Sequence, residues 1–265
     1  MGVKLVALDI DGTVIPPGNG SGDHDPPLAI REAVRDLTAS GVAVVLASGR
    51  MFPGTLRVVR ALHLVTPMVC QQGCSVHRLD GSMLHEFPIP RQLALEIVDY
   101  ARSIGCDYEW FNPLRYLASR ESEATRRYGE VSGIVPEYRP DPEHSGVVPT
   151  GVGIISDDEE ARAIHRHLAA AYADRLHVLD FPEVTVAVAP EANKGHALSL
   201  ICSDLGIDRH EVVAVGDSVN DAAMLAWAGL GAAMAHADSY ARDAADLVLE
   251  PGADALAKFL RGLAR

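Results

Sequence analysis

The sequence has 265 residues, which suffices for one large domain or for two modest ones, each with its own apolar core. Hydrophobic residues make up 48% and charged residues 22%, proportions of a soluble globular protein that exclude disordered and fibrous classes. The net charge of -13, without a dense Lys/Arg cluster, argues against a nucleic-acid partner, and the 4 cysteines lack the spacing of a zinc site or a disulfide framework.

The pattern of apolar residues in the first third of the chain predicts the alternating strands and helices of a parallel sheet. The apolar run over residues 3–8 is continuous, as in a strand buried on both faces, and it ends in D-I-D-G-T. Apolar residues at helical spacing over 30–37 predict a helix that ends near Gly41. A second buried strand over 42–47 leads into S-G-R, and residues 67–70 form a third strand.

The middle third predicts a separate α+β unit, residues 81–186. A helix over 93–104 precedes two strands, C-D-Y-E-W-F and R-Y-L-A-S. The same order recurs with a helix opened by a capping box from Ser156 to Glu159, followed by the strands L-H-V-L-D-F and V-T-V-A-V-A. The proline-rich segment between the halves, G-I-V-P-E-Y-R-P-D-P-E-H-S-G, is predicted to be a loop.

In the last third the alternation of helix and strand returns. A helix capped by Asn193 precedes a strand over 212–215, a second helix and two short strands. We therefore expect residues 1–80 and 187–265 to form one Rossmann-like, doubly wound parallel sheet of the α/β class, with the α+β unit inserted into it as a second domain.

Four acidic residues are predicted to lie together at the carboxyl ends of the strands, where open α/β sheets bind their ligands. Asp9 and Asp11 follow the first strand, and Asp217 and Asp221 follow the strand over 212–215. Taken singly, each pair also fits a turn or a helix cap. Taken together, the four carboxylates favour a hard cation such as Mg²⁺, which prefers oxygen ligands and offsets the repulsion among them.

An anion site is predicted beside these acids. The Ser48 hydroxyl, the Gly49 N–H and the Lys194 ammonium at a helix N-terminus suit an anion, and a metal next to an anion site indicates a phosphate ester. Asp9 is then the candidate nucleophile, since an ionised carboxylate can form an aspartyl phosphate. Asp11 is the candidate proton carrier, which would protonate the leaving oxygen and later deprotonate the attacking water.

Four short motifs carry a resemblance to a known family. In order, D-I-D-G-T, L-A-S-G-R, N-K-G and G-D-S-V-N-D resemble the motifs of the haloacid dehalogenase superfamily of phosphatases. The inserted unit lies between the second and third motifs, and its repeated helix-strand-strand pattern is similar to the type IIB cap of the Cof-like sugar-phosphatase branch.

The resemblance implies a role for each matching residue. The residues that would hold Mg²⁺ are Asp9, Asp217 and, through its backbone carbonyl, Asp11. The residues that would bind the phosphate are Ser48, Gly49, Lys194 and Asn220. Asp221 would support the metal site without binding the ion directly.

Two positions depart from the Cof-like pattern. Gln72, in Q-Q-G-C, replaces the asparagine of an Asn-Gly-Ala segment, and His236, in M-A-H-A, replaces that of Met-Gly-Asn-Ala. We expect both to change the floor of the substrate site.

Aromatic and basic residues of the inserted unit could also face a ligand. The aromatic residues predicted to pack within it are Tyr108, Trp110, Phe111 and Tyr116. The arginines predicted to be surface charges, with a second anionic group of the substrate as the alternative, are Arg115, Arg120 and Arg139.

The predicted function is a Mg²⁺-dependent phosphomonoester phosphatase acting on a small phosphorylated metabolite, with a sugar phosphate as the expected type. A phosphomutase of the same fold, which would retain the phosphoryl group, is one alternative. A non-catalytic phosphosugar-binding sensor is another, although a binder needs neither nucleophile nor proton donor. No apolar run approaches the ~20 residues of a membrane span, so we expect a cytoplasmic protein without a membrane partner. The sequence leaves the oligomeric state open.

Overall fold

The computed structural model of the protein describes residues 2–17 and 25–264. In this part of the chain the strands are β1 (Leu5–Leu8), β2 (Ala43–Leu46), β3 (Met68–Cys70), β4 (Ser75–His77), β5 (Met83–Glu86), β6 (Asp107–Phe111), β7 (Tyr116–Ala118), β8 (Glu137–Tyr138), β9 (Gly151–Ile155), β10 (His177–Phe181), β11 (Val184–Val188), β12 (Val212–Gly216), β13 (Leu230–Ala233) and β14 (Leu247–Val248). The helices are α1 (Leu28–Ala39), α2 (Phe52–Ala61), α3 (Arg91–Ser103), α4 (Glu123–Ser132), α5 (Asp158–Tyr172), α6 (Lys194–Leu205), α7 (Ala222–Trp227), α8 (Ser239–Ala244) and α9 (Ala255–Leu263).

The core of the protein is a parallel sheet with the strand order β14-β13-β12-β1-β2. β1 lies at its centre, pairing in parallel with β12 through Leu5 and Val212 and with β2 through Leu5 and Ala43. All four residues of β1 are buried, which explains its continuous apolar run, because both faces of a parallel sheet are covered by helices.

Helices cover both faces of this sheet. Val6 and Leu8 point into one apolar cluster, which α1, α2 and α9 complete. Leu5 and Ala7 point into the other, which α6, α7 and α8 complete. Successive side chains of a strand alternate between faces, so a single strand contributes to two separate cores. The predicted Rossmann-like, doubly wound sheet is confirmed.

The strand predicted over residues 67–70 forms, but in another sheet. β3 pairs antiparallel with β4, and β4 with β5. A single parallel bridge from Val69 to Ala47 joins this small sheet to the end of β2. The predicted start of the inserted unit, residue 81, lies in the turn between β4 and β5.

The inserted unit, called the cap below, is built on a six-stranded sheet with the order β10-β11-β9-β6-β7-β8. Its pairs are antiparallel except the short parallel pair of β7 with β8. α3 and α5 pack on one face around Tyr108, Trp110 and Ile154. The expected α+β organisation is confirmed.

Some features of the cap differ from the expectation. α4 and β9 were not predicted, and the proline-rich segment holds the two-residue strand β8 as well as loop. The predicted capping box is wrong by one residue: Asp157, not Ser156, caps α5 by accepting hydrogen bonds from the N–H groups of Glu159 and Glu160. Both hydrogen bonds reach the same oxygen, Oδ1, and the negative charge of the carboxylate is favourable at a helix N-terminus, which favours Asp157 over the neighbouring hydroxyl.

Among the helices of residues 2–17 and 25–264, none combines the length and the apolar character needed to cross a membrane.

Candidate active site

The predicted site residues come from four segments that meet at the carboxyl edge of the parallel sheet. Asp9 and Asp11 follow β1, and Ser48 and Gly49 follow β2. The segment after β12 carries Asp217, Asn220 and Asp221, and Lys194 is the first residue of α6. Parallel strands end at the same edge of a sheet, so residues more than 200 positions apart in the chain, such as Thr13 and Asp217, come into contact there.

Lys194 is the centre of the polar contacts in the site. Its side chain is completely buried, and Nζ donates hydrogen bonds to Asp9 Oδ1 at 2.5 Å and to Asp221 Oδ1 at 2.6 Å. Burial alone would lower the pKa of this ammonium, but the carboxylates of Asp221 and Asp9 outweigh it and raise the pKa above its usual range. Lys194 is therefore a fixed positive charge in the floor of the site.

Asp9 is buried beside this ammonium, with 3% of its surface exposed. Burial, together with the charges of Asp221 and Asp217, raises the pKa of Asp9 well above its usual range, while Lys194 opposes the shift. One carboxylate oxygen from each of Asp9, Asp217 and Asp221 lies within 4.8 Å of the others. Such a group of oxygens is stable only with positive charge or protons among them, and it offers the ligands that Mg²⁺ prefers.

The three carboxylates differ in how many lone pairs they leave free. Asp221 Oδ2 accepts hydrogen bonds from the N–H groups of Asp217 and Ser218, at 2.9 Å and 3.0 Å, while its Oδ1 is bound to Lys194. Asp217 Oδ1 accepts from the Thr13 hydroxyl at 3.0 Å. Among the described residues, no hydrogen-bond donor reaches the Oδ2 atoms of Asp9 or Asp217. These two oxygens are the ones available to a cation.

Asp217 is held close to the chain after β1. Burial, then the charge of Asp221, raises its pKa to about 7. Gly12 has a φ of +94°, and a Cβ atom at this position would lie 2.1 Å from Asp217 Oδ2. Glycine is required there both for its left-handed backbone and for the close approach of the carboxylate.

The side chain of Asp11 stands apart from this cluster. It is half-exposed, and Arg50 binds it through Nε at 2.7 Å and Nη2 at 2.5 Å. The Arg50 side chain is almost fully buried, and its third nitrogen, Nη1, has no hydrogen-bond partner among the described residues. A bidentate arginine bond fixes the orientation of a carboxylate, so the side chain of Asp11 is oriented by Arg50, which follows β2, and not by the other three acids.

The two departures from the Cof-like pattern both lie in the site. Gln72 has a φ of 64°, and its amide oxygen accepts a hydrogen bond from Asn220. A Cβ atom on Gly49 would lie 2.6 Å from the Gln72 amide nitrogen. His236 Nε2 lies 3.7 Å from Asp217 Oδ2. Gln72 thus links the segments after β2 and β12, and His236 flanks the acid cluster.

A cavity of about 470 Å³ opens from these residues into the cap. Asp9, Asp11 and Gly49 line its inner end. The outer part is lined by one face of the cap sheet and by α4 and includes Glu109 and Phe111. α4 is docked on the core: the Tyr128 hydroxyl donates to the Gly49 carbonyl at 3.2 Å. The cap therefore lies over this end of the core, and residues of both line one chamber.

Some of the cap residues named in the sequence analysis lie where they were predicted, and one lines the cavity instead. Tyr108 and Trp110 pack in the cap core as predicted, whereas Phe111, on the opposite face of β6, lines the cavity. Arg115 and Arg120 form surface ion pairs, with Glu137 and Asp107.

Three residues that the sequence analysis did not single out contribute to the site: Arg50, Glu109 and Tyr128. Arg50 belongs to the S-G-R motif, but no pattern in the sequence indicates that it is buried against Asp11. Glu109 is signalled only by strand alternation, which places it on the face opposite Tyr108 and Trp110. Tyr128 lies on α4, which was not predicted.

Comparisons with known proteins identify the family of the chain. A family model for haloacid dehalogenase-like hydrolases matches residues 6–260. HMP-PP phosphatase of Shigella flexneri serotype 5b (strain 8401) is 28% identical over 239 residues, which cover 88% of this chain and 85% of the relative. A candidate phosphatase of Bacillus subtilis (strain 168), YxeH, is 27% identical over 247 residues and covers 88% of both chains.

Solved structures share the whole fold, cap included. A haloacid dehalogenase-like hydrolase from B. subtilis superposes with a TM-score of 0.83 at 22% identity, covering 98% of this chain and 99% of that one. The HAD subclass IIB sugar phosphatase BT4131 superposes with a TM-score of 0.83 at 20% identity, covering 98% and 100%. At these identities the likeness concerns the fold.

Proposed function

The chain belongs to the haloacid dehalogenase-like hydrolases, and on that premise we propose that it is a Mg²⁺-dependent phosphomonoester phosphatase acting on a small phosphorylated metabolite of the sugar-phosphate type. The observation that carries the proposal is the buried contact of Lys194 with Asp221 and with Asp9, which lines the inner end of the chamber. A fixed ammonium beside a nucleophilic carboxylate suits a phosphate dianion, whose negative charge otherwise repels that nucleophile.

Asp9 is the proposed nucleophile. Its carboxylate attacks phosphorus, the ester oxygen leaves, and an aspartyl phosphate remains for water to hydrolyse. Lys194 draws charge from the phosphoryl oxygens while the Ser48 hydroxyl and the Gly49 N–H bind them. Asn220 completes the phosphate contacts, and its bond to Gln72 holds its amide in place.

Asp11 is the proposed proton carrier. It lines the same chamber as Asp9, and Arg50 orients its carboxylate. In the first step it protonates the leaving oxygen, and in the second it removes a proton from the attacking water. Half-exposure lets its proton exchange with solvent between turnovers.

The donor set fits Mg²⁺. Asp9 and Asp217 would bind it through their free Oδ2 atoms and Asp11 through its backbone carbonyl. Asp221, with both oxygens already hydrogen-bonded, would support the site without binding the ion directly. When bound, the ion would neutralise charge on the phosphoryl oxygens.

The test is release of inorganic phosphate from a panel of phosphorylated metabolites with Mg²⁺. We expect release that stops with a chelator and with Asp9→Asn, and that slows at least ~100-fold with Asp11→Asn, the scale of general acid–base catalysis. Asp204→Asn, an exposed acid on α6, is the matched control and should retain activity.

Two outcomes would contradict the proposal. Turnover that survives Asp9→Asn would remove Asp9 as nucleophile. Transfer of the phosphoryl group within the substrate, without release of phosphate and only with a bisphosphate activator, would identify a mutase instead.

A further inference from the structure

The charged residues that line the chamber are paired, with one exception. Asp9 is bound to Lys194, Asp11 to Arg50, and Glu183 to Arg127. Glu109 is the only lining acid for which no basic partner is found among residues 2–17 and 25–264. Since a buried carboxylate without a positive partner is costly, such a group is a candidate for binding a ligand.

The carboxylate of Glu109 is held in a defined position. Only 7% of the residue is exposed. The hydroxyl of Tyr116, itself buried, donates a hydrogen bond to Oε1. On the other side, a Cβ atom on Gly153 would lie 2.5 Å from Oε2, so the glycine leaves room for this oxygen. Among the described residues no donor reaches Oε2, which leaves it available to a ligand.

The surroundings of Glu109 are largely apolar. The apolar side chains lining the chamber include Phe111, Val131, Phe181, Val184 and Val186. Arg127 and Glu183 cancel each other's charge at the chamber wall. A leaving group that fills this space therefore meets apolar walls suited to the faces of a ring, and one unpaired negative charge.

We propose that Glu109 is a specificity-determining residue that binds an ammonium group on the leaving group, so that the preferred substrates are phosphate monoesters of amine-bearing rings, such as amino sugars. The inference rests on the proposed function and narrows its substrate class. An ammonium supplies both the hydrogen-bond donor and the positive charge that Glu109 lacks, whereas a hydroxyl supplies only the donor.

Protonation supports this assignment. Burial raises the pKa of Glu109 to about 7, although the Tyr116 hydrogen bond opposes the shift. The other titratable groups near it are the hydroxyls of Tyr116 and Tyr128, whose pKa values burial raises, and the Arg127–Glu183 pair across the chamber. The preference for an ammonium should therefore increase as pH rises and Glu109 ionises.

The experiment compares substrates that differ only in amine against hydroxyl. The two pairs are glucosamine 6-phosphate with glucose 6-phosphate, and pyridoxamine 5′-phosphate with pyridoxine 5′-phosphate. We expect kcat/KM to favour the amine at least ~10-fold in one or both pairs, mainly through KM, as for a hydrogen bond between charged groups. Glu109→Gln, which retains an acceptor for Tyr116, should reduce that ratio to about 1. Glu130→Gln, at an exposed position of α4 that is not among the residues lining the chamber, is the matched control and should leave the ratio as in the wild type.

A general structural defect would slow both members of a pair and leave their ratio unchanged, so the ratio isolates the role of Glu109. The wild-type ratio should rise from about pH 5.5 to about pH 7.5, and in Glu109→Gln it should not. Ratios below ~10-fold in both pairs, or a preference that Glu109→Gln retains, would overturn the inference.

Failure of the proposed function would be distinguishable. If the wild type hydrolyses no ester, the phosphatase proposal fails, and calorimetric binding of the same pairs to the wild type and to Glu109→Gln then decides the inference. Tighter binding of the amine that Glu109→Gln abolishes would support it. Equal binding of amine and hydroxyl would overturn it.

Discussion

Burial raises the pKa of Glu109 from 4.5 to about 7, so near neutral pH the fold holds a carboxylate in surroundings that disfavour its charge. Lys194, by contrast, is buried with two carboxylates that stabilise its charge. Lys194 and Glu109 thus show two different roles of a buried ionisable group. Lys194 has charged partners within the protein, while Glu109 has a hydrogen bond from Tyr116 but no positively charged partner among the described residues, a pattern typical of sites where function is retained at the expense of stability.

This predicts a pH-dependent stability difference between the wild type and Glu109→Gln. Because the folded state binds the Glu109 proton more tightly than the unfolded chain, the free energy of unfolding falls as pH rises from about 4.5 to about 7. The pKa shift of Glu109 corresponds to a decrease of roughly 3 kcal/mol in the free energy of unfolding. Urea unfolding at about pH 5 and about pH 8 should show the wild type losing roughly this amount relative to Glu109→Gln. A difference that stays constant with pH would contradict the assignment.

At the residue scale, the sequence predicted the residues whose meeting point follows from the strand order of the sheet. It missed the residues whose contacts depend on side-chain packing. Asp9, Ser48 and Asp217 follow strands of one parallel sheet, so their meeting point follows from strand order. The contact of Arg50 with Asp11 depends on a side-chain orientation that no periodicity encodes. To predict Glu109 as a site residue, one would need to know which face of the cap sheet meets the core.

At the scale of elements, α2 of the core and α4 of the cap pack closely against each other. Gly54 on α2 lies so close to α4 that a Cβ atom would be 2.2 Å from the Val131 carbonyl oxygen and 2.7 Å from Ser132 Cα. The Ser132 hydroxyl also accepts a hydrogen bond from the Met51 N–H at 3.1 Å. This close approach of α4 to the core therefore requires the absence of a side chain at residue 54.

Gly54→Ala is predicted to favour an open cap. The added methyl group cannot fit without moving α4, and overpacking of this kind costs about 1–3 kcal/mol, which should raise KM roughly tenfold. Small-angle scattering should show a larger radius of gyration. Gly262→Ala on α9 is the control, since a Cβ atom there meets nothing within 4 Å. Equal KM values for the two variants would show that this contact does not govern closure.

Two cap elements that the sequence analysis did not predict, α4 and β9, have weak apolar patterns. α4 reads E-A-T-R-R-Y-G-E-V-S, in which few apolar residues repeat at helical spacing, and its buried positions include Thr125, Gly129 and Ser132. β9 begins G-V-G, where glycines interrupt the strand signal. Both have small residues because another part of the protein approaches closely: Gly153 adjoins Glu109, and α4 adjoins α2. The small residues that made these two elements hard to predict are therefore the same residues that allow the close contacts around the chamber.

At the scale of the whole molecule, the apolar interior is divided. The core sheet has one cluster on each face, and the cap has its own cluster between its sheet and α3 and α5. A smaller cluster, which includes Met51 of the core and Phe111 of the cap, lies where the two meet. We propose that the cap, near the predicted residues 81–186, is a separate folding unit although the chain enters it from the core and returns.

A matched pair of substitutions tests this division. Ile164 on α5 lies in the cap cluster and Ile201 on α6 in a core cluster, and each is 2% exposed. Truncating a buried isoleucine to alanine costs about 2–5 kcal/mol, so each variant should lose hydrogen-exchange protection in the unit that contains it. In mild urea, Ile164→Ala should speed exchange in β6, β9 and β11 and leave β1 and β12 protected, and Ile201→Ala should do the reverse. If either substitution lowers protection throughout the chain, cap and core unfold together, and opening of the chamber would then require partial unfolding of the core instead of movement of an intact cap.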